Sequence, residues 1–377
     1  MTTAYSGDGI TFPDNSVQAT APRVGMVNRI INGDMRIDQR NAGAGGTASA
    51  YTVDRWAYFG TQASKGTWQQ NAGAITPPSG FKNYLGFTSS SAYPVSSTDL
   101  FELYQFIEGY NLADLEWGTS SAKTATLSFW VRSSLTGTFG GAVSNSGNTR
   151  NYPFTYTINI ADTWEQKTIT VVGDTTGTWL STNTIGCGLI LGLGAGSTFS
   201  ETGNAWNGTT GALIPTGATS VVGTSGATFY VTGVQLEKGS TATSFEYVDY
   251  GRQLIQCQRY YESNFPLGTA PAINQSFSAA DMGVIAYAGT AHRSPRIMYK
   301  VVKRAYPTVV LYSPAGYTGF STNKFTVYIS SLWRDWTGGN VTSTNTGYFG
   351  LDGSSPVSVT IGYSYLAAGN WAASAEL

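Results

Sequence analysis

Charge is scarce in this sequence. Lys, Arg, Asp and Glu make up 11% of the 377 residues, against about a quarter in ordinary soluble domains. The formal net charge is −1, so there is no basic excess to neutralise phosphates and no footprint of a nucleic-acid binder. Charged tails are absent as well. Only two cysteines occur, Cys187 and Cys257, 70 residues apart. They do not suggest a disulfide framework and fit a chain made in a reducing cytoplasm, each as a small buried hydrophobe. No apolar run approaches the ~18 residues of a membrane span, so no membrane insertion is expected. The first residues lack the cationic and apolar regions of a secretory signal. With a single histidine, His292, a familiar zinc site is excluded, and a Ser-His-Asp triad would have to use that one residue. No G-x-S-x-G elbow accompanies it.

What is present is glycine, 46 residues, and aromatic rings: 23 Tyr, 17 Phe and 10 Trp. Abundant turn formers with rings and hydroxyls in place of charge suit an all-β chain. Residues 122–133 give the clearest signal. Leu127, Phe129 and Val131 alternate with Ser128, Trp130 and Arg132, the period-2 pattern of a strand with one covered face. Similar segments lie near 51–59, 67–70, 83–87, 100–108, 154–160, 164–173, 186–193 and 228–237. Residues 28–40 read as an opening strand with Ile31, Gly33, Met35 and Ile37 on one side, and 111–118 as one helical turn. These elements predict a jelly-roll β-sandwich over 26–249, preceded by a β-hairpin arm over 1–25. Residues 250–262 carry Tyr250, Leu254, Cys257 and Tyr261 at helical spacing. That helix is either a linker between two β-bodies or packed on its own sandwich. Residues 263–377, with strand-like runs near 282–287, 297–302, 308–312, 324–329 and 356–366, form a smaller C-terminal β-sandwich domain.

A series of segments resembles a known group of proteins. It comprises residues 28–40 (NRIINGDMRIDQR), 51–56 (YTVDRW), 105–108 (QFIE), 113–117 (ADLEW), 126–134 (TLSFWVRSS), 229–237 (FYVTGVQLE) and Phe245 with Glu246. In this order they resemble the carbohydrate-binding-module-like jelly rolls of phage tail fibres and prophage-encoded structural proteins. The helix YGRQLIQCQRYY and the closing SAEL are similar to the C-terminal part of those proteins, where an ending such as DAEL is usual. Residues 9–19 (GITFPDNSVQA) resemble the short element ahead of many tail-fibre tips. The resemblance implies a homotrimeric, non-enzymatic virion protein, made in the host cytoplasm, joined to other tail or baseplate proteins through residues 1–25 as an attachment arm and bound to host surface glycan, with residues 263–377 as the candidate receptor-binding tip. It supplies no catalytic residues. A capsid-attached fibre or decoration protein and a polysaccharide-degrading tail spike are the alternatives.

Glycan recognition needs aromatic faces with polar groups beside them. Trp333, Arg334, Asp335 and Trp336, followed by a Gly-rich turn, form the leading candidate, with Tyr317 and Tyr348 secondary and Trp371 lesser. The competing reading packs these rings in the C-terminal core or at a chain–chain interface. A glycosidase would need two carboxylates across a sugar bond. Asp54, Glu102, Glu108 and Asp335 are available, and Asp54 and Glu108 read as hydrogen-bonded structural acids. No cofactor is expected. Structural calcium is possible, with Asp34 and Glu237 as candidate ligands.

Overall fold

The structure, a computed structural model, describes residues 4–6, 9–11, 17–18, 26–273, 275, 282–313, 325–330, 332–335, 337–342 and 344–377. Three arm strands, β1 (Ala4–Ser6), β2 (Gly9–Thr11) and β3 (Val17–Gln18), pair antiparallel in chain order. The first body contains β4 (Ala50–Tyr51), β5 (Ala57–Gly60), β6 (Gly66–Gln70), β7 (Leu85–Ser89), β8 (Leu100–Glu108), β9 (Ala125–Ser133), β10 (Gly137–Asn145), β11 (Asn151–Ile158), β12 (Glu165–Val171) and β13 (Ile185–Ala195). A short parallel pair, β14 (Ser200–Glu201) and β15 (Ile214–Pro215), precedes β16 (Thr228–Lys238). Two antiparallel sheets face each other, in the orders β11-β10-β13-β8-β5-β4 and β12-β9-β16-β7-β6. The fold is the expected all-β sandwich.

Residues 122–133 become β9, at the middle of the five-stranded sheet. Leu127, Phe129 and Val131 are fully buried against Phe101, Leu103 and Leu189 of the core. The opposite face is covered by loops of the same chain. Arg132 donates Nε to the Asp162 carbonyl (2.9 Å) and pairs with the Asp162 carboxylate (3.0 Å). Beside it an aromatic layer forms, in which Tyr84 contacts Trp164 and Tyr230, and Phe81 contacts Phe245 and Tyr247. At Gly233 φ is +62°, and an added Cβ would sit 2.6 Å from Phe81 and 3.1 Å from Trp130. That left-handed residue makes the bulge between Thr232 and Gln235 where β16 pairs with β9.

Residues 28–40 are not a strand. Asn32 and Met35 have positive φ, and side-chain amides hold the segment in turns. The Asn28 Oδ1 accepts from Ile30 and Leu236 N–H, and its Nδ2 donates to the Val234 carbonyl. Gln105 closes both polar groups of Ile31, and Asn32 bonds the backbone of Ile37 and Asp54. These amides replace the ladder partners that a strand would need. An added Cβ on Gly33 would lie 2.1 Å from the Val234 carbonyl oxygen. The predicted strand near 51–59 is also broken, by a turn with Arg55 at φ +72°. The turns over 109–111 and 113–115 are 3-10.

The helix α1 spans Tyr250–Gln258, shorter than expected, and is capped by the Asp249 side chain accepting from Arg252 N–H (2.9 Å). It packs on the jelly roll. Gln253, Cys257 and Gln258 are buried, and Arg36 bonds Gln253. Tyr261 leaves the helix and opens β17 (Tyr261–Ser263).

The C-terminal body follows as β18 (Met282–Ala286), β19 (Ala291–Arg293), β20 (Ile297–Met298), β21 (Thr308–Tyr312), β22 (Thr326–Ile329), β23 (Leu332–Asp335), β24 (Thr337–Thr342), β25 (Tyr348–Ser354), β26 (Ser364–Ala368) and β27 (Asn370–Ser374). Strands β17, β27 and β21 make one sheet. The other runs β20-β25-β19-β18-β26-β22-β23, with β24 beside β25. Val284, Phe325, Val327, Phe349, Leu351 and Trp371 form the core of this body. Residues 356–363 are not a strand; it begins at Ser364.

Candidate functional site

In the large C-terminal sheet each strand alternates between core and solvent. Val284 and Ala286 of β18 and Val327 and Ile329 of β22 point inward. Their neighbours point out, and register aligns them. One row runs Asp352, Arg293, Ile285, Ser364; the next runs Gly283, Leu366, Tyr328, Trp333. Ile285 is 53% exposed and Tyr328 41%, so this face is an open apolar and aromatic band. Tyr328 and Trp333 meet with ring centroids 5.3 Å apart at 57°. Arg293 holds Asp352 through two hydrogen bonds, 2.8 and 3.0 Å, and lies 4.8 Å over the Tyr287 ring. A depression of about 360 Å³ opens beside this pair, lined by Gly283, Ile285, Tyr287, Pro295 and Ser364. Tyr328 and Trp333 stand three to five strand spacings, roughly 14–24 Å, from Arg293 and Asp352, so the rings can stack on one part of an extended ligand while the charged pair hydrogen-bonds another.

Trp333 is thus on the outward face, among partners that sequence did not single out. Tyr348 shares its parity with Asp352 on β25 and pairs with exposed Met298, under the Arg296 guanidinium at 4.3 Å. It lies five strand spacings from Trp333, or roughly 24 Å, so the two rings share a face but no pocket. The backbone of Arg334 and Asp335 pairs with Val327 and Thr326, and their side chains lie outside the described residues. Trp336 and Tyr317 lie outside the described residues altogether. Trp371 is a core residue, 4% exposed, edge-on to Tyr299 and Phe349. Its neighbours in the core are apolar, which removes it as a ligand platform.

The carboxylates considered for hydrolysis do not converge among the described residues. Asp54 is fully buried and accepts from the Gln39 backbone N–H (3.0 Å) and side chain, and burial pushes its pKa up to about 6. Burial also raises Glu108, but hydrogen bonds from Arg259 and Tyr260 outweigh it and hold the carboxyl below its usual range. Glu102 stands on the outer side of β8 opposite Gly192 and Phe59. It is 8% exposed, its Oε2 has no partner, and burial pushes its pKa up to about 8. His292 is buried edge-on to Tyr365, and burial lowers its pKa.

Of the calcium candidates, Asp34 lies 3.1 Å from Arg36. Glu237 accepts from Gln235 and from the N–H and hydroxyl of Thr243. Among the described residues no group of three or more His, Cys, Asp and Glu is placed to hold a metal.

No protein-family model matches this sequence, and no curated protein matches it significantly. Solved structures resemble it in part. The enzymatically active domain of bacteriophage CBA120 tailspike protein 4 aligns over 56% of this chain and 22% of its own length, at 10% identity and a TM-score of 0.33. A family 11 carbohydrate-binding module of a Clostridium thermocellum cellulosomal cellulase aligns over 53% and 98%, at 9% identity and 0.26. The N-terminal cellulose-binding domain of Cellulomonas fimi β-1,4-glucanase C aligns over 53% and 98%, at 14% and 0.23. At these scores the likenesses carry no function to this chain.

Proposed function

We propose that this chain is a non-enzymatic structural virion protein, a trimeric phage tail fibre or receptor-binding protein, which attaches to host surface glycan through the outward face of its large C-terminal sheet. The observation that carries this reading is the band that runs from the Arg293–Asp352 pair across the sheet through Ile285 and Leu366 to Tyr328 and Trp333. A glycan chain offers C–H faces to the rings at one end of this band and hydroxyls to the charged pair at the other, and an exposed band of this kind marks an interaction surface. Low charge and abundant rings suit both glycan contact and burial between copies. The arm then serves for attachment to the tail.

The test is binding of the full chain to host cells and to isolated surface polysaccharide. Trp333→Ala is expected to weaken binding about tenfold, the loss of one stacking contact of about 1.4 kcal/mol, with unchanged unfolding. Unchanged binding by Trp333→Ala together with Tyr328→Ala removes this face as the site. Release of reducing ends from the polysaccharide by the full chain overturns the non-enzymatic reading.

A further inference from the structure

A groove of about 430 Å³ lies where the jelly roll meets the C-terminal body. Its floor is one side of the β17-β27-β21 sheet. Register places Tyr261, Ser374 and Thr308 in one row and sets Val310 beside Ala372 in the next. The middle strand therefore contributes only small side chains, and Tyr261 and half-buried Tyr312 rise at the flanks. A sheet face with small residues in the centre and rings at its margins is a trough. The facing wall comes from Arg40, Asn41, Ala50 and Tyr51. The Arg40 guanidinium lies 3.6 Å from the Tyr261 ring centroid and 4.6 Å from that of Tyr51. One of its nitrogens is committed to Glu376 at 2.8 Å, and its buried Nε has no acceptor.

We propose that this groove is a second saccharide site, taking one uncharged pyranose unit of a glycan chain at the junction of the two bodies. The inference rests on the glycan-binding function proposed above, and it adds a site far from Trp333 in the fold. The volume falls within the range of small-ligand sites, about 300–1,000 Å³. Tyr51 and Tyr312 offer rings to the C–H faces of a sugar, and the hydroxyls of Thr308 and Ser374 lie on the floor between them. Arg40 pairs with Glu376 and lies in the field of the Asp54 and Asp38 carboxylates, so the wall does not call for an anionic ligand.

Thr308 and Ala50 are exposed on opposite sides of the groove, so bulk can be added at either without disturbing the core. The probes are the methyl β-pyranosides of glucose, galactose and N-acetylglucosamine, with methyl galacturonide as the charged counterpart. Binding to the full chain is read by saturation-transfer NMR. At least one neutral pyranoside is expected to bind. Thr308→Trp and Ala50→Trp are each expected to weaken it about tenfold or more, equivalent to one lost contact of about 1.4 kcal/mol, whereas Trp333→Ala leaves a Thr308-sensitive component in place. Two tryptophan variants that fold as the parent does and retain full signal overturn the groove. So does binding of the galacturonide alone, or of no pyranoside. Loss of the entire signal in Trp333→Ala overturns the groove while leaving the proposed function standing. Absence of binding to host cells and polysaccharide by the unaltered chain instead removes the proposed function itself.

Discussion

Replacing Glu376 by alanine strips the shared partner from two arginines at the seam between the bodies. The Glu376 side chain is 6% exposed, that of Arg55 2% and that of Arg40 16%. One carboxylate oxygen pairs with Arg40 at 2.8 Å and the other with Arg55. Desolvation by burial lowers the pKa of both guanidinium groups, yet both stay charged, as arginine does in proteins. Removing one partner of a buried pair costs about 3–5 kcal/mol, because a buried charge is left behind. The two pairs share a carboxylate, so their losses do not add. Arg55 also keeps its bond to the Phe106 carbonyl and its stack on Tyr260 at 3.7 Å. We therefore expect about 3–5 kcal/mol in total. In urea, with a slope of about 2–3 kcal/mol per molar, the midpoint of the tryptophan-fluorescence transition falls by roughly 1–2.5 M. Glu376→Gln keeps an acceptor oxygen for one arginine only and turns its amide NH2 towards the other, so it too lowers the midpoint. Glu116→Ala is the contrast: Glu116 and Lys123 are both nearly half exposed, and such a pair is worth at most about 1 kcal/mol. A midpoint for Glu376→Ala no lower than that of Glu116→Ala refutes the reasoning.

Glu102 sets a pH dependence. Its folded pKa, near 8, lies above the ordinary 4.5, so its protonated form favours the fold. That contribution is full below about pH 4.5 and is lost as pH rises towards 8. Stability of the parent should decline from pH 5 to pH 9, and Glu102→Gln should flatten the curve; parallel thermal-unfolding profiles would count against it. Gly33→Ala must push its backbone away from the Val234 carbonyl, 2.1 Å from the new Cβ, and should cost about 1–3 kcal/mol; an unchanged denaturation midpoint shows that the turn can yield.

Period-2 alternation is a local property, and it made β9 and β8 legible, because each residue's face is decided by its parity. β10 escaped the same reading. Its centre is Gly-Gly-Ala, which carries little hydrophobic contrast, and its place is secured by pairing with β11 and β13. Residues 28–40 misled for the opposite reason. Their apolar residues alternate, but Gln105, Val234 and Leu236, which bond the backbone of Ile31, Gly33 and Arg29, lie 74 to 207 residues away in sequence.

The amino-acid sequence by itself determined the all-β class, the buried face of the central strand, and a candidate ring at Trp333, since composition and parity need no knowledge of neighbours. Tertiary structure alone decided which residues meet. Trp333 reaches Tyr328 across one turn of chain, but Arg293 and Asp352 come together from 59 residues apart. Ile285 and Leu366 join the band because β18 and β26 are adjacent in the sheet and distant in the chain. Trp371, with equal aromatic promise, was withdrawn into the core by the parity of β27 and the rings of Tyr299 and Phe349. Strand order is set by the burial of whole faces, and that free energy belongs to the assembled sheets rather than to any segment.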